Sequence, residues 1–388
     1  MKLSKRVVII IIINAVLLIA LGVLTLTYNG IRGTLLSQSE AKRFAGQSGF
    51  AFGQVTSLFN DGNGVTINTI ESWRREADDT LEKQSVTPLT PSAPLYLDAF
   101  SANAGTLSFE GLRGTAKANV IAVGGAFFDF HPYQLLTGGY IKENDLTRDR
   151  IVIDEAAAWI MFGSNDVAGM HVTVAGKTYT VAGVIRREQD SYSKDAYELT
   201  LDPNNCLIFM PYEYFDEDQN TFKFTSYEFV TRNLFNVYVY AMVVNTSVIE
   251  PDRIIDVNRR FDLWTIISDV LGKYGKRGIQ TEPAVFPYWE NAAVMAENDL
   301  AILALFMIIC AVPPIVFFVI LLGWLLKQTK GKGALVADKF GDLLDVYRRR
   351  RYKRQQEELL AAEEEPEDDG FDEYGDDEPE PKSYDEPE

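Results

Sequence analysis

Two long uncharged apolar runs constrain this 388-residue sequence more than any other feature. The first, Val7 to Thr27, reads VVIIIIINAVLLIALGVLTLT. As a helix its residues extend about 31 Å at roughly 1.5 Å per residue, the thickness of one bilayer core. Lys2, Lys5 and Arg6 precede it, and the positive-inside bias then puts the N-terminus in the cytoplasm. A cleaved signal peptide has the same basic start, but its apolar stretch is normally about 7 to 15 residues with a small-x-small cleavage site. The longer run here, which leads into Leu24, Leu26 and Tyr28, predicts an uncleaved anchor. The second run, Leu300 to Leu326, corresponds to about 40 Å of helix and exceeds a core of roughly 30 Å, so it must tilt or bend. Pro313 and Pro314 near its middle predict a kink. Trp324 suits the interface, and Lys327, Lys330 and Lys332 follow it. Both termini are therefore expected in the cytoplasm.

This division predicts a cytoplasmic N-terminus at 1–6, a membrane helix at 7–27, an extracytoplasmic domain at 28–299 and a second membrane helix at 300–326. A basic juxtamembrane helix at 327–360 and an acidic tail at 361–388 complete it. Net charge is −18 overall, with 37 Lys and Arg against 55 Asp and Glu. So acidic a chain is not held on nucleic acid by phosphate neutralisation, and no nucleic-acid partner is expected. At 47% apolar residues it is also not a wholly disordered chain.

In the middle region, residues 31–85 read mostly as helix punctuated by glycine. The segment from Ile31 continues upward from the membrane as a stalk, and Ile70, Trp73, Ala77 and Leu81 recur at helical spacing. Breaks are expected around Gly62 and from Thr87 to Pro94. Short strands are then expected at Pro94 to Phe100, Thr106 to Gly111 and Ala116 to Gly124, with a loop from Asp129 to Tyr133. Arg150 to Ile153 is a buried strand pattern, Asp154 a helix N-cap, and Glu155 to Phe162 an Ala-rich helix that stops at Gly163. Val172 and Val174 alternate before Ala175-Gly176-Lys177, and Tyr179 and Val181 alternate after it, which predicts a β-hairpin. Further strands are expected at Cys206 to Met210 and Asn236 to Val244, and a helix from Pro251 to Tyr274. Irregular alternation of helix and strand makes the class α+β, between two transmembrane helices and with a disordered acidic C-terminal tail.

The segment VIDEAAAWIMFGSNDVAGMHVTVAGKTYTVAGVIRRE resembles the MacB-type periplasmic core domain of ABC transporter permeases. That family places a strand before an Ala-containing helix ending in Phe-Gly, then a hairpin that closes on Val-x-Gly-Val. Phe162-Gly163, Ala168-Gly169 and Val181-Ala182-Gly183-Val184 occupy those places. Upstream, Phe127 to Phe130, Leu136 and Gly138-Gly139-Tyr140 resemble another family segment, and LIFMPYEYF follows in the expected order. The usual permease continues into two further membrane helices, whereas this sequence contains no third apolar run. The resemblance implies an ATPase on another chain, a second permease subunit or a homodimer partner, and mechanotransmission through the membrane helices.

Little in the sequence points to chemistry, and no catalytic, cofactor-binding or metal-binding residue is expected. No G-x-x-x-x-G-K-S/T phosphate loop and no G-x-S-x-G elbow occurs. Two Cys and two His leave little for a metal cluster or a disulfide framework. His131 and His171 are read as fold residues and Cys206 as a buried strand residue, while Cys310 lies in the second apolar run. The acid groups Asp78-Asp79 and Asp216-Glu217-Asp218 are read as solvated surface, with a weak divalent-ion site left open at the latter. Asn245-Thr246-Ser247 matches a glycosylation sequon.

In the tail, Arg348, Arg349, Arg350, Arg351, Lys353 and Arg354 form a basic cluster expected to lie on membrane lipid. Each basic residue near an anionic leaflet contributes about 1 kcal/mol. The leading expectation is a non-enzymatic permease-like subunit in the cell membrane whose extracytoplasmic domain binds a partner or substrate. The alternative is an envelope scaffold or sensor whose acidic tail recruits cytoplasmic partners.

Overall fold

The computed structural model describes residues 4–60, 62, 65–88, 90, 93–216, 221–232, 253–271 and 286–329. Helix α1 runs Lys5–Thr34, capped by Ser4, whose hydroxyl accepts from the Val7 amide. Its apolar side chains are almost all uncovered, as they are on the equally apolar part of the last helix, so both are candidate membrane spans. A 3-10 turn, Leu36–Ser39, and helix α2, Glu40–Ala45, lead to strand β1, Phe52–Leu58. Helix α3, Ile67–Lys83, buries Ile70, Trp73, Ala77 and Leu81, the face expected from their spacing.

Strands β2 (Tyr96–Glu110) and β3 (Thr115–Gly125) pair antiparallel, followed by a single helical turn, α4 (Phe127–Phe130), and β4 (Gln134–Gly138). Then come β5 (Arg150–Asp154), α5 (Glu155–Phe162), β6 (His171–Val174), β7 (Lys177–Arg186), α6 (Ser191–Thr200) and β8 (Cys206–Pro211). Strands β9 (Ser226–Arg232) and β10 (Arg253–Asp256), the short helix α7 (Val257–Arg260) and the long helix α8 (Tyr288–Thr329) complete the described order. Helix α8 continues unbroken through Pro313 and Pro314.

Ten strands form one mixed sheet in the order β10-β1-β9-β2-β3-β8-β5-β7-β4, with β6 pairing both β7 and β2. Pairs β3–β8 and β5–β7 are parallel and the others antiparallel. The single pair Glu110–Thr173 links β2 to β6 and closes a ring through β3, β8, β5 and β7. Side chains alternate across the sheet, so Ile151, Ile153, Ile208 and Met210 enter one core with α5, while Val152, Leu207 and Phe209 enter another. A third cluster packs α3 against β1, β2 and β9 through Trp73, Phe100, Tyr227 and Phe229.

Local signals placed the centre of the domain correctly. Asp154 accepts from the Ala157 amide at 2.8 Å, and Gly163 ends α5 in the left-handed conformation, φ 77°. Ala175 and Gly176, both at positive φ, form the two-residue turn between β6 and β7.

Four expectations are corrected. Residues 31–85 hold a strand besides the expected helices, because β1 lies among them between β9 and β10. All seven of its residues are buried, including Gln54, Thr56 and Ser57, so it shows neither a polar nor an apolar stripe to read. The helix expected from Pro251 to Tyr274 is, over its described part, β10, then α7, then helical turns at Leu263–Thr265 and Ile266–Leu271. Pairing of Arg253–Asp256 with β1 draws Ile254 and Ile255 into the sheet. The two strands expected on either side of Ala102 are one strand, β2, whose register shifts between Asn103 and Thr106. The expected loop at Asp129 begins inside α4, whose Phe127, Phe128 and Phe130 are buried. The strand expected at Asn236 to Val244, the sequon at Asn245, and the tail beyond Thr329 lie outside the described residues.

Candidate functional site

The most elaborate assembly of polar groups lies where the apolar helices meet the sheet. The end of α1 packs Tyr28, Ile31 and Leu35 against Ala292, Ala293, Ala296 and Leu300 of α8, with Ala196 of α6 and Phe261 in the same cluster. Alanines at this spacing let the backbones approach closely. Tyr28 donates its hydroxyl proton to the Phe261 carbonyl at 2.9 Å, and so ties the first helix to the segment after α7.

Arg260, the last residue of α7, is buried in this joint. Its Nε lies 2.5 Å from Glu297 Oε1, and its Nη1 and Nη2 each lie 2.7 Å from an oxygen of Glu290. Nη1 also donates to Gln38 Oε1 at 3.0 Å. Glu290 and Glu297 stand seven residues apart, two turns on one face of α8, and a single guanidinium bridges them. The turn after α1, the strand-linked helix α7 and the first turns of α8 thus share one buried ion cluster.

A second layer lies alongside. Gln54 of β1 accepts from the Glu40 amide at 3.0 Å and donates to the Ser37 carbonyl at 2.9 Å, fixing the α2 segment to the sheet. Burial pushes the Glu40 carboxyl up to about 7, against the lowering pull of Arg43, which lies 2.5 Å away. His131 Nε2 lies 2.6 Å from Glu228 Oε2, and the His131 ring is enclosed by Trp289 and Phe127, with ring centroids 4.5 Å away in each case. One residue before Trp289, the Tyr288 hydroxyl donates to Glu188 at 3.0 Å and lies 2.7 Å from the Tyr133 hydroxyl. Burial pushes the Glu188 carboxyl up to about 7 as well.

Each charged centre is engaged by a fixed structural partner, and no group of three or more His, Cys, Asp or Glu suited to a metal occurs among the described residues. Sequence reading did not single out Arg260, Glu290, Glu297 or Gln38. The available signal was the pair of acids two turns apart immediately before an apolar run. His131 is a buried fold residue, whereas His171 is exposed on β6. Cys206 is buried on β8. Asp78 and Asp79 are exposed as expected, but Asp216 is buried, and its Oδ1 accepts from the Thr221 and Phe222 amides at 2.7 and 2.9 Å. The basic cluster Arg348 to Arg354 lies outside the described residues.

A family model described as the MacB-like periplasmic core domain matches residues 8–249. No curated protein matches the sequence. Among solved structures, the chain is similar to the periplasmic region of MacB from Actinobacillus actinomycetemcomitans at 15% identity and a TM-score of 0.36, over 56% of this chain and 93% of that one. It is also similar to the extracellular domain of the noncanonic ABC-type transporter YknZ from Gram-positive bacteria, at 11% identity and a TM-score of 0.30, over 48% and 85%. A domain of a putative permease protein from Porphyromonas gingivalis gives 14% identity and a TM-score of 0.29, over 47% and 72%. Scores this low leave the assignment to the family match.

Proposed function

The chain belongs to the MacB-like periplasmic core domain family of ABC transporter permeases, and from that premise we propose that it is a non-enzymatic membrane subunit driven by an ATPase on another chain. In this reading residues 28–299 lie outside the cytoplasm, both termini lie inside, and the outer domain binds a partner or substrate. The observation that carries the reading is the buried Arg260 cluster. Because one guanidinium holds Glu290, Glu297 and Gln38 together, displacement of either apolar helix is passed to α7 and through β10 to the sheet. In this reading work is delivered as movement rather than by passage through this subunit. Pairing with a second copy or with a fuller permease completes the unit, and the basic cluster from Arg348 to Arg354 rests on the inner leaflet.

Purification of the tagged full-length protein from its own membranes in mild detergent tests this. Co-purification of a phosphate-loop ATPase with a second permease chain or a second copy is the expected result. Recovery of neither, with envelope or cytoplasmic scaffold proteins in their place, overturns it in favour of the anchor reading.

A further inference from the structure

A cleft of about 430 Å³ opens between the end of α1, the α2 segment, β1 and α7. Its charged lining has both signs: Arg32, Lys42 and Arg259 contribute cations, and Asp256 and Asp262 contribute carboxylates. Arg32 and Asp262 stand 3.8 Å apart, too far for a hydrogen bond, so each keeps bonding capacity for a third group. Phe52 and Phe261 supply buried apolar lining, and Phe50 is partly exposed beneath the Arg232 guanidinium, which sits 3.5 Å from its ring centre.

Depth decides what meets this cleft. Arg32 follows Thr27, the last residue of the uncharged run, by five positions, about 7.5 Å along the helix at 1.5 Å per residue. The headgroup layer on each side of a bilayer is about 5 to 7.5 Å thick, half the difference between a core of roughly 30 Å and a total of roughly 40 to 45 Å, so Arg32 stands at its outer limit. With α1 spanning the membrane, the cleft opens at the outer edge of the headgroup layer.

We propose that the cleft binds the headgroup of a phosphoethanolamine-type phospholipid, taken from the leaflet at the C-terminal end of the α1 span. Its phosphate meets Arg32, Lys42 and Arg259, and its ammonium donates to Asp256 and Asp262. A phosphoglycerol head engages the same cations but offers the two carboxylates only neutral hydroxyl donors, with no cation to pair them. Phosphocholine has no N–H to donate to them. The mixed lining therefore selects a head that carries both an anion and a hydrogen-bonding cation. This inference requires only that α1 spans the membrane and stands apart from any ATPase partner.

The test is full-length protein in nanodiscs containing equal phosphatidylethanolamine, phosphatidylglycerol and phosphatidylcholine, with retained lipid identified by native mass spectrometry. We expect phosphatidylethanolamine to be enriched about fivefold over both others, the size of one additional surface ion pair. Lys42 is exposed, so Lys42→Glu leaves the fold intact and returns retention to the input ratio. Asp262→Asn, also at an exposed position, removes the preference over phosphatidylcholine. Retention at the input ratio by the unmodified protein, or enrichment unchanged by Lys42→Glu at an unchanged melting temperature, overturns the proposal. Displacement of the lipid by millimolar inorganic phosphate also overturns it, in favour of a free-phosphate site.

Discussion

Gly183 shows how a single missing side chain fixes a strand pair. A Cβ there would lie 2.4 Å from the Gly139 carbonyl oxygen, and one on Gly138 would lie 2.2 Å from the Ala182 carbonyl oxygen. Strands β4 and β7 therefore approach through facing glycines, which is the physical content of the Gly-Gly and Val-x-Gly-Val motifs. Gly183→Ala is expected to destabilise the protein by about 2 kcal/mol, the usual cost of overpacking. Gly33→Ala, inside α1 where the added methyl meets nothing, should stabilise by about 0.4 to 1 kcal/mol. Chemical denaturation in one detergent compares the two, and equal effects would refute the steric account. Glu40 makes a separate prediction. Its carboxyl holds a proton up to about pH 7 in the folded protein but only to about 4.5 when unfolded. Between those values the unfolded state binds fewer protons, so stability falls as pH rises through the window, by up to about 3 kcal/mol. Arg43 keeps hydrogen bonds to the Asp129 and Phe130 carbonyls when Glu40 is neutral. Glu40→Gln should flatten that slope, and an unchanged profile of melting temperature against pH would exclude Glu40 as its source.

Among the elements, α7 and the first turns of α8 depend on each other. Arg260→Ala leaves two carboxylates buried without their cation and should cost about 3 to 5 kcal/mol. Replacing the cluster together, as Arg260→Met with Glu290→Leu and Glu297→Leu, should recover most of that stability, because apolar groups of similar size need no partner. If the triple variant is no more stable than Arg260→Ala, the cluster is not held together by charge pairing. Elements of this kind were the hard ones to read. The α5 cap, its glycine stop and the β6–β7 turn were legible because each is settled within a few neighbouring residues. By contrast, β1 is buried on both faces and carries Gln54, Thr56 and Ser57, whose environment comes from distant chain. Likewise, β10 carries no extended signal of its own and becomes a strand by pairing with β1. The clamp was invisible for the same reason: Arg260 lies 222 positions from Gln38 in sequence and 30 from Glu290.

On the scale of the domain, the chain enters and leaves its sheet at one place. Tyr28 and Phe261 meet there, and α8 brings Tyr288 and Trp289 into the same core as Phe127 and Phe209. The sequence announced two apolar runs flanking an α+β domain, but their convergence on a shared clamp depends on long-range pairing that no local pattern encodes. That convergence has a consequence for biosynthesis. Trp289 closes over His131, yet it emerges only eleven positions before the second apolar run begins at Leu300. A ribosome has therefore nearly delivered the second candidate span before the sheet can seal its interior. Maturation of the domain and synthesis of its last helix become a single event in time, and a chain interrupted before Tyr288 remains unsealed.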